Sequence, residues 1–126
     1  MPAATLDLFM EQGASFKRTL IFKDSQVVPV EIDLTGNVYK AEIRKTISGD
    51  LVAEFVCTVL DQVTNKGEMT MYLSDEQTEA IMMKPQNTQT RALEKFTYDM
   101  EVEYPSGDKD RVIQGVISIS PGVTHD

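Results

Sequence analysis

The sequence has no tryptophan, one cysteine and one histidine, and these scarcities exclude several kinds of chemistry. The single thiol, Cys57, cannot form an intramolecular disulfide or build a cysteine-based zinc site. The histidine, His125, is the penultimate residue, and a chain terminus is a poor place for a catalytic imidazole. We therefore do not expect a Ser-His-Asp hydrolase, a histidine-ligated metalloenzyme or a thiol oxidoreductase, and we expect synthesis in a reducing cytoplasm.

Long apolar runs and positive charge are scarce as well. No apolar stretch approaches the roughly 20 residues of a membrane-spanning helix, and residues 1–5 lack the basic and apolar blocks of a secretory signal. The 20 acidic and 12 basic side chains give a net charge of −8, which repels phosphate backbones. Neither a membrane nor a nucleic acid is therefore predicted as a partner.

The sequence is rich in alternating apolar and polar residues, the pattern of strands with one buried face. The pattern is clearest over residues 96–104, which precede the turn residues Pro105-Ser106-Gly107-Asp108. Strands are predicted over residues 6–10, 15–22, 37–45, 51–59, 68–73, 96–104 and 111–120, with an edge strand or strand-like loop over 27–32. We predict a single all-β domain over residues 1–126, an antiparallel immunoglobulin-like β-sandwich of about seven or eight strands with one short helix.

The one helix signal begins at Ser74. Ser74 and Gln77 fit a capping box, in which each side chain binds the backbone N–H of the other residue. We predict a helix of about two turns, with Ile81 and Met82 facing the sheet, that ends before a polar loop over residues 85–93.

Three acidic side chains on one predicted strand are candidates for catalysis or metal binding. Asp99, Glu101 and Glu103 project from one strand face about 7 Å apart. Carboxylates at such spacing can act as the acid and base of a glycosidase, or they can hold calcium. We favour the simpler interpretation, a solvated outer face whose acids pair across the hairpin with Lys109 or Arg111. We predict no catalytic residue, no metal site and no cofactor.

The cysteine and the tyrosines each have an ordinary interpretation and a functional one. Cys57 lies on the apolar face of a predicted strand, which favours a buried, inert thiol over a nucleophile. The tyrosines could form a sugar-stacking platform if one exposed surface grouped them, but period two favours their division between core and rim. These tyrosines are Tyr39, Tyr72, Tyr98 and Tyr104.

Short motifs occur in a characteristic order over nearly the whole chain, and together they resemble a family of small β-sandwich proteins encoded by tailed bacteriophages. The matching pieces are Leu6-Asp7-Leu8, Glu11-Gln12-Gly13-Ala14-Ser15-Phe16, Lys23-Asp24, Ile32-Asp33-Leu34-Thr35-Gly36, Ile43-Arg44, Gly67-Glu68-Met69-Thr70-Met71-Tyr72-Leu73-Ser74, Thr78, Tyr98-Asp99-Met100-Glu101-Val102 and Gln114-Gly115-Val116-Ile117-Ser118-Ile119-Ser120-Pro121-Gly122-Val123-Thr124. Two features depart from the family pattern: the loop over residues 85–93 is long, and Gly122 stands where a charged residue is common.

The resemblance implies a non-enzymatic virion structural protein of the tail tip, collar or baseplate, a module that also begins larger fibre and spike proteins. Such a protein is made in the host bacterial cytoplasm, assembles as a multimer with other phage structural proteins, and links the tail to fibres. The family has no catalytic residues, and no small-molecule substrate is implied. One alternative is a capsid decoration or head-fibre base protein. A carbohydrate-binding module, and last a small glycosidase or esterase, are alternatives from other classes.

Two segments are predicted to contact partners. The first strand is apolar and has little charge to protect its edge, so a neighbouring subunit could cover it by strand addition. The second segment comprises residues 84–93. The predicted contact residues are Leu6, Leu8, Phe9, Met10, Met83, Lys84, Pro85 and Arg91. Removal of residues 1–10 is predicted to reduce assembly more than folding.

Overall fold

The structure, a computed structural model, describes residues 3–83 and 92–122. Over these residues the elements are β1 Ala4–Thr5, β2 Leu8–Glu11, β3 Phe16–Ile21, β4 Val38–Arg44, β5 Leu51–Val59, β6 Glu68–Leu73, α1 Asp75–Glu79, β7 Glu94–Glu103 and β8 Lys109–Ser120. The all-β class and the short helix are confirmed. The first predicted strand, over residues 6–10, is instead split into two short strands that flank Leu6 and Asp7.

The strands form one curled sheet in the order β1-β8-β7-β4-β5-β6-β3, and β2 pairs with β8 beyond β1. β1 and β2 run parallel to β8 in one continuous register, with Ala4 opposite Ile113 and Leu8 opposite Ile117. The other strand pairs are antiparallel, so the sheet is mixed. Alternation decides which face a side chain takes, but it carries no information on the direction of the neighbouring strand. The two-layered sandwich stays a prediction, because β5 pairs with both β4 and β6 and makes the sheet continuous.

The sheet encloses one core because a short turn joins its two ends. The turn Gln12-Gly13-Ala14-Ser15 connects β2 to β3, which lie at opposite ends of the strand order, so the sheet has to curl. The ring of Phe55 shows the result, since its centroid lies 5.7 Å from that of Phe16 on β3 and 6.4 Å from that of Tyr98 on β7. The buried cluster contains Leu8, Met10, Phe16, Leu34, Ala41, Ile43, Phe55, Met69, Met71, Leu73, Ile81, Phe96, Tyr98, Met100, Ile113, Ile117 and Ile119.

The helix begins as predicted and ends early. The Gln77 backbone N–H donates to Ser74 Oγ at 3.1 Å, and the Ser74 N–H donates to Gln77 Oε1 at 2.9 Å, which confirms the capping box. α1 covers Asp75–Glu79 only, which is less than the predicted two turns. Ile81 is buried beyond the helix end, whereas Met82 is 78% exposed, so the prediction that Met82 faces the sheet is wrong.

Side-chain hydrogen bonds fasten the β2–β3 turn to the helix and explain the early end. Gln12 Nε2 donates to the Ile81 carbonyl oxygen at 2.9 Å and lies 3.4 Å from the Glu79 carbonyl oxygen, which would accept from the Met83 N–H if the helix continued. Thr78 Oγ1 accepts from the Gly13 N–H at 3.0 Å and donates to the Ala14 carbonyl oxygen at 2.8 Å. We call this end of the sheet, with its turn and helix, the turn end.

Gly122 belongs to the same end of the molecule. Its N–H donates to Gln12 Oε1 at 3.0 Å, and a Cβ on Gly122 would lie 2.6 Å from the Gln12 carbonyl oxygen. The backbones therefore pass too close for a side chain at this position. The absence of a side chain at Gly122 thus has a local steric reason.

The opposite end of the sheet, which we call the loop end, carries the β3–β4, β5–β6 and β7–β8 connections. Asp33 Oδ1 accepts from the Thr35 N–H at 3.0 Å and from Thr35 Oγ1 at 2.6 Å, which tightens the turn around Leu34. The Leu34 side chain is 1% exposed and closes the core. Gly36 follows with φ of 82°, and Pro105 packs against it. The Asp-Leu-Thr-Gly motif is therefore a capping turn for the core.

Candidate contact surfaces

The predicted N-terminal contact residues divide between core and surface. Leu8 is 0% exposed and Met10 is 4% exposed, so both side chains lie in the core. Leu6 is half-buried and packs against that core, whereas Phe9 is 68% exposed. Within this segment, Phe9 offers the largest exposed apolar side chain to a partner. Removal of residues 1–10 would take two side chains out of the core, so we expect a cost to folding as well, and the larger effect on assembly stays a prediction.

The second predicted contact segment is described only in part. Met83 is half-buried and packs against the core. Leu93, at the far end of the segment, is 54% exposed. Lys84, Pro85 and Arg91 lie outside the described residues.

A cleft of about 450 Å³ lies where the two ends of the curled sheet approach each other, and we call it the edge cleft. Phe9 and Met10 of β2 form one side, Phe16 of β3 forms another, and Ala14 and Leu93 are further apolar lining residues. Most of the exposed lining is apolar, and its polar groups come from Glu11, Ser15, Ser118 and Ser120. The cleft is therefore lined mainly by apolar surface, and it lies close to the turn end of the molecule.

An apolar segment protrudes at the loop end, and we define residues 24–30 as the apolar loop. Val27 is 102% exposed and Val28 is 76% exposed, and Pro29 and Val30 beside them are also exposed. The predicted strand or strand-like loop over residues 27–32 is therefore a loop, with one bridging residue at Glu31. Surfaces of this kind, where several aliphatic side chains face water together, commonly mark sites of protein contact.

The apolar loop is held in one conformation by its own hydrogen bonds. The Asp24 N–H donates to the Val30 carbonyl oxygen at 2.9 Å, and Asp24 Oδ1 accepts from the Val30 N–H at 3.1 Å. Asp24 Oδ1 also accepts from the Gln26 N–H at 3.3 Å. Lys23 and Glu31 pair as an antiparallel bridge at the base. Since the loop is closed at its base, its aliphatic side chains are presented in a defined arrangement.

The apolar loop is a candidate contact surface that was not predicted from the sequence, although its composition gives a signal. The run Val27-Val28-Pro29-Val30 has no polar residue between its apolar ones, so it has no polar face to offer water as a strand would. Pro29 also removes a backbone donor, which disfavours a paired strand. An unalternated apolar run with a proline therefore indicated an exposed apolar loop.

Two of the three acidic residues considered above, Asp99 and Glu101, are paired as the simpler interpretation predicted. Arg111 Nε lies 3.3 Å from Asp99 Oδ2, and Lys109 Nζ lies 3.9 Å from Glu101 Oε1, across the β7–β8 hairpin. All four side chains are half or more exposed to water. Among residues 3–83 and 92–122, no group of three or more metal-ligating side chains comes together.

The thiol of Cys57 is set back from solvent on β5. The side chain is half-buried and packs against the core. Burial raises the pKa of the Cys57 thiol to about 11, and the negative charge of Glu54 adds to the shift. A thiol that keeps its proton at neutral pH is a poor nucleophile.

The tyrosines are distributed between core and rim, as period two favoured. Tyr98 is 4% exposed in the core, while Tyr72 is 38% exposed on β6. Tyr39 is half-buried and stacks on Phe22 with ring centroids 5.6 Å apart, and Tyr104 is half-buried after β7. Burial, with the nearby charge of Asp7, raises the pKa of Tyr98 to about 12. This distribution does not provide the single exposed platform that a sugar-binding face of four tyrosines would require.

Comparison with known proteins leaves the family open. No protein-family model matches this chain, and no curated protein sequence matches it significantly. The likeness to phage structural proteins therefore rests on the order of the motifs in the sequence. In the described part of the chain, no helix combines the length and apolar character needed to cross a bilayer.

Proposed function

We propose that this chain is a non-enzymatic structural protein of a tailed bacteriophage particle. It acts as a tail, collar or baseplate component that assembles as a multimer and links the tail to fibres. The observation that carries the proposal is that apolar side chains are exposed at both the loop end and the turn end of the curled sheet. Val27 and Val28 stand out at the loop end, and Phe9 and Leu93 border the edge cleft near the turn end.

Aliphatic and aromatic side chains exposed in groups are costly for a protein that remains alone in water, because they promote association. In an assembly the same side chains are covered by neighbours and stabilise the contact, by about 25 cal/mol for each Å² of apolar surface removed from water. The acids Asp99 and Glu101 on β7 are paired with Arg111 and Lys109, and the thiol of Cys57 on β5 keeps its proton at neutral pH. These features fit a building block better than a catalyst.

The proposal is tested on purified particles of the phage that encodes the chain. Peptide mass spectrometry of gradient-purified particles should find the chain in a fixed ratio to the other tail proteins. The proposal would be rejected if successive gradients removed the chain together with host proteins, so that infectious particles contained none of it.

Location on the particle separates the first candidate from a capsid decoration or head-fibre base protein, since both would expose apolar contact surfaces. A gold-labelled antibody against the chain, imaged on intact particles, should mark the tail tip, collar or baseplate. Label spread over the capsid facets would favour decoration and contradict the tail assignment.

A further inference from the structure

We propose that the apolar loop of one copy docks into the edge cleft of a second copy, so that the copies join head to tail. The inference rests on the proposed function, because it names the contact through which the multimer would form. The occupant of the cleft is therefore a second copy of this chain, and the segment that enters it is residues 24–30.

The loop is ready to dock without rearrangement. Asp24 closes it through hydrogen bonds to the backbone of Val30, at 2.9 Å and 3.1 Å, and the bridge between Lys23 and Glu31 fixes its base. A segment that is already ordered loses little conformational entropy on binding. Val27 and Val28 at its tip are exposed to water in the isolated chain, so most of their apolar surface is available for burial.

The cleft matches the loop in chemistry and size. Its volume of about 450 Å³ leaves room for a few aliphatic side chains, and Phe9, Leu93 and Phe16 supply apolar walls. Phe9 is 68% exposed and Leu93 is 54% exposed, so the contact would cover apolar surface on both partners.

The charges that flank the two surfaces are complementary. The base of the apolar loop carries one cation and one anion, Lys23 and Glu31. The border of the cleft carries Glu11, and Lys95 lies directly across the β7–β8 pair from the cleft residue Ser118. Lys23 can therefore face Glu11 while Glu31 faces Lys95, which sets one orientation of the loop in the cleft.

The positions of the two surfaces decide the kind of assembly. The loop lies at the loop end, whereas the cleft lies near the turn end, so a single docking event leaves a free loop on one copy and a free cleft on the other. Further copies can then add head to tail, which produces a closed ring or an open chain of copies.

The decisive experiment compares three variants of the full chain with the unaltered protein. The loop variant is Val27→Asp with Val28→Asp, and the cleft variant is Phe9→Asp. The control is Val63→Asp, since Val63 is 93% exposed at the loop end but lies outside the apolar loop. Circular dichroism confirms that each variant is folded, and sedimentation velocity and native mass spectrometry give the mass over a wide range of concentrations.

The unaltered chain and the control should form the same concentration-dependent oligomers, while the loop and cleft variants should each sediment as monomers. An equimolar mixture of the two variants should give dimers and nothing larger, because one intact cleft meets one intact loop. The inference would be overturned if the unaltered chain stayed monomeric. It would also be overturned if the loop and cleft variants formed the same oligomers as an assembling unaltered chain, or if their mixture gave no dimers. The content of purified particles tests the proposed function separately, so the two failures can be told apart.

Discussion

The hydroxyl of Tyr98 donates a hydrogen bond to the carbonyl oxygen of Leu6. Tyr98 lies on β7, directly opposite Gly115 on β8, and the Leu6 carbonyl occupies the space where a Cβ of Gly115 would stand. Asp7 Oδ1 accepts from the Val116 N–H at 3.0 Å just beyond. The interval between β1 and β2 is thus fixed to the sheet from two sides, which joins two very short strands into one N-terminal arm.

The substitution Tyr98→Phe removes the hydroxyl and leaves the Leu6 carbonyl without this donor. We expect the free energy of unfolding to fall by about 1–3 kcal/mol, the usual cost of an unpaired buried polar group. Urea denaturation measures the change. Tyr72→Phe is the matched control, because Tyr72 is 38% exposed, and it should change stability by less than about 0.5 kcal/mol. Equal effects of the two substitutions would contradict the role given to Tyr98.

The substitution Gly115→Ala places a methyl group where the Leu6 carbonyl lies. Since backbone cannot move aside as a flexible side chain does, we expect the N-terminal arm to detach, with a loss of about 2–4 kcal/mol in stability. Hydrogen exchange should show faster exchange of the Leu6 N–H, which otherwise donates to the Gln114 carbonyl oxygen at 3.0 Å. Unchanged protection at Leu6 would show that the arm tolerates the methyl group.

Thr78 allows a test of the turn end with two similar substitutions. Thr78→Val keeps the shape of the side chain but leaves the Gly13 N–H and the Ala14 carbonyl without the hydroxyl. We expect a loss of about 1–3 kcal/mol. Thr78→Ser retains the hydroxyl and loses one methyl group, so it should cost about 1 kcal/mol. A Ser variant less stable than the Val variant, in thermal or urea unfolding, would contradict the assignment.

Cys57 should react slowly with thiol reagents in the folded protein. Its pKa is raised to about 11 by burial, so at pH 8 the thiolate is about a hundredfold less populated than for a thiol with a pKa of 9.0. Iodoacetamide labelling followed by mass spectrometry measures the rate, and the same reaction in urea is the control. Comparable rates in folded and unfolded protein would refute the expectation.

Alkaline pH should destabilise the fold. The folded protein holds the protons of Cys57 and Tyr98 to higher pH than the unfolded chain does, since their pKa values are raised to about 11 and about 12. Between the unfolded and folded pKa values the folded state binds more protons, so the free energy of unfolding falls as the pH rises from about 9 toward 12. Urea titrations at successive pH values should show this fall, and Tyr98→Phe should reduce its slope at the upper end. A flat profile above pH 9 would disprove the linkage.

Much of the fold could be predicted from local patterns. The bounds of β5 and β6 follow from alternation, and the capping box at Ser74 follows from two side chains three residues apart. The parallel pairing of β1 and β2 with β8 could not be predicted from local patterns. It depends on the close approach of the Leu6 backbone to Gly115, which has no side chain and lies more than a hundred residues further along the chain. Met82 was misplaced for a similar reason, since the helix ends at Glu79, whose carbonyl oxygen lies 3.4 Å from the Nε2 of Gln12, a residue distant in sequence.

The contact surfaces were harder to predict than the core. Phe9 follows from the alternation of its strand, because the residue between two core positions must face outward. The edge cleft could not be predicted, because it is formed by residues of β2, β3 and β8 that only the curled sheet brings together. The apolar run Val27-Val28-Pro29-Val30 is visible in the sequence. Its exposure could not be predicted, because it depends on the hydrogen bonds from the Gln26 and Val30 N–H groups to Asp24 Oδ1 that shape the loop.

The parallel course of the N-terminal arm beside β8 has a practical consequence for engineering. Ala4 lies beside Ile113, whereas Gly122 follows the far end of β8, so the first and last described residues leave the body at opposite poles, roughly 30 Å apart at 3.3 Å per residue. A circular permutant would need a long bridging peptide along the outside of the curled sheet. Conversely, fluorophores attached at the two poles would report on different ends of the body, and their energy transfer would distinguish a polar stack of copies from a side-by-side cluster.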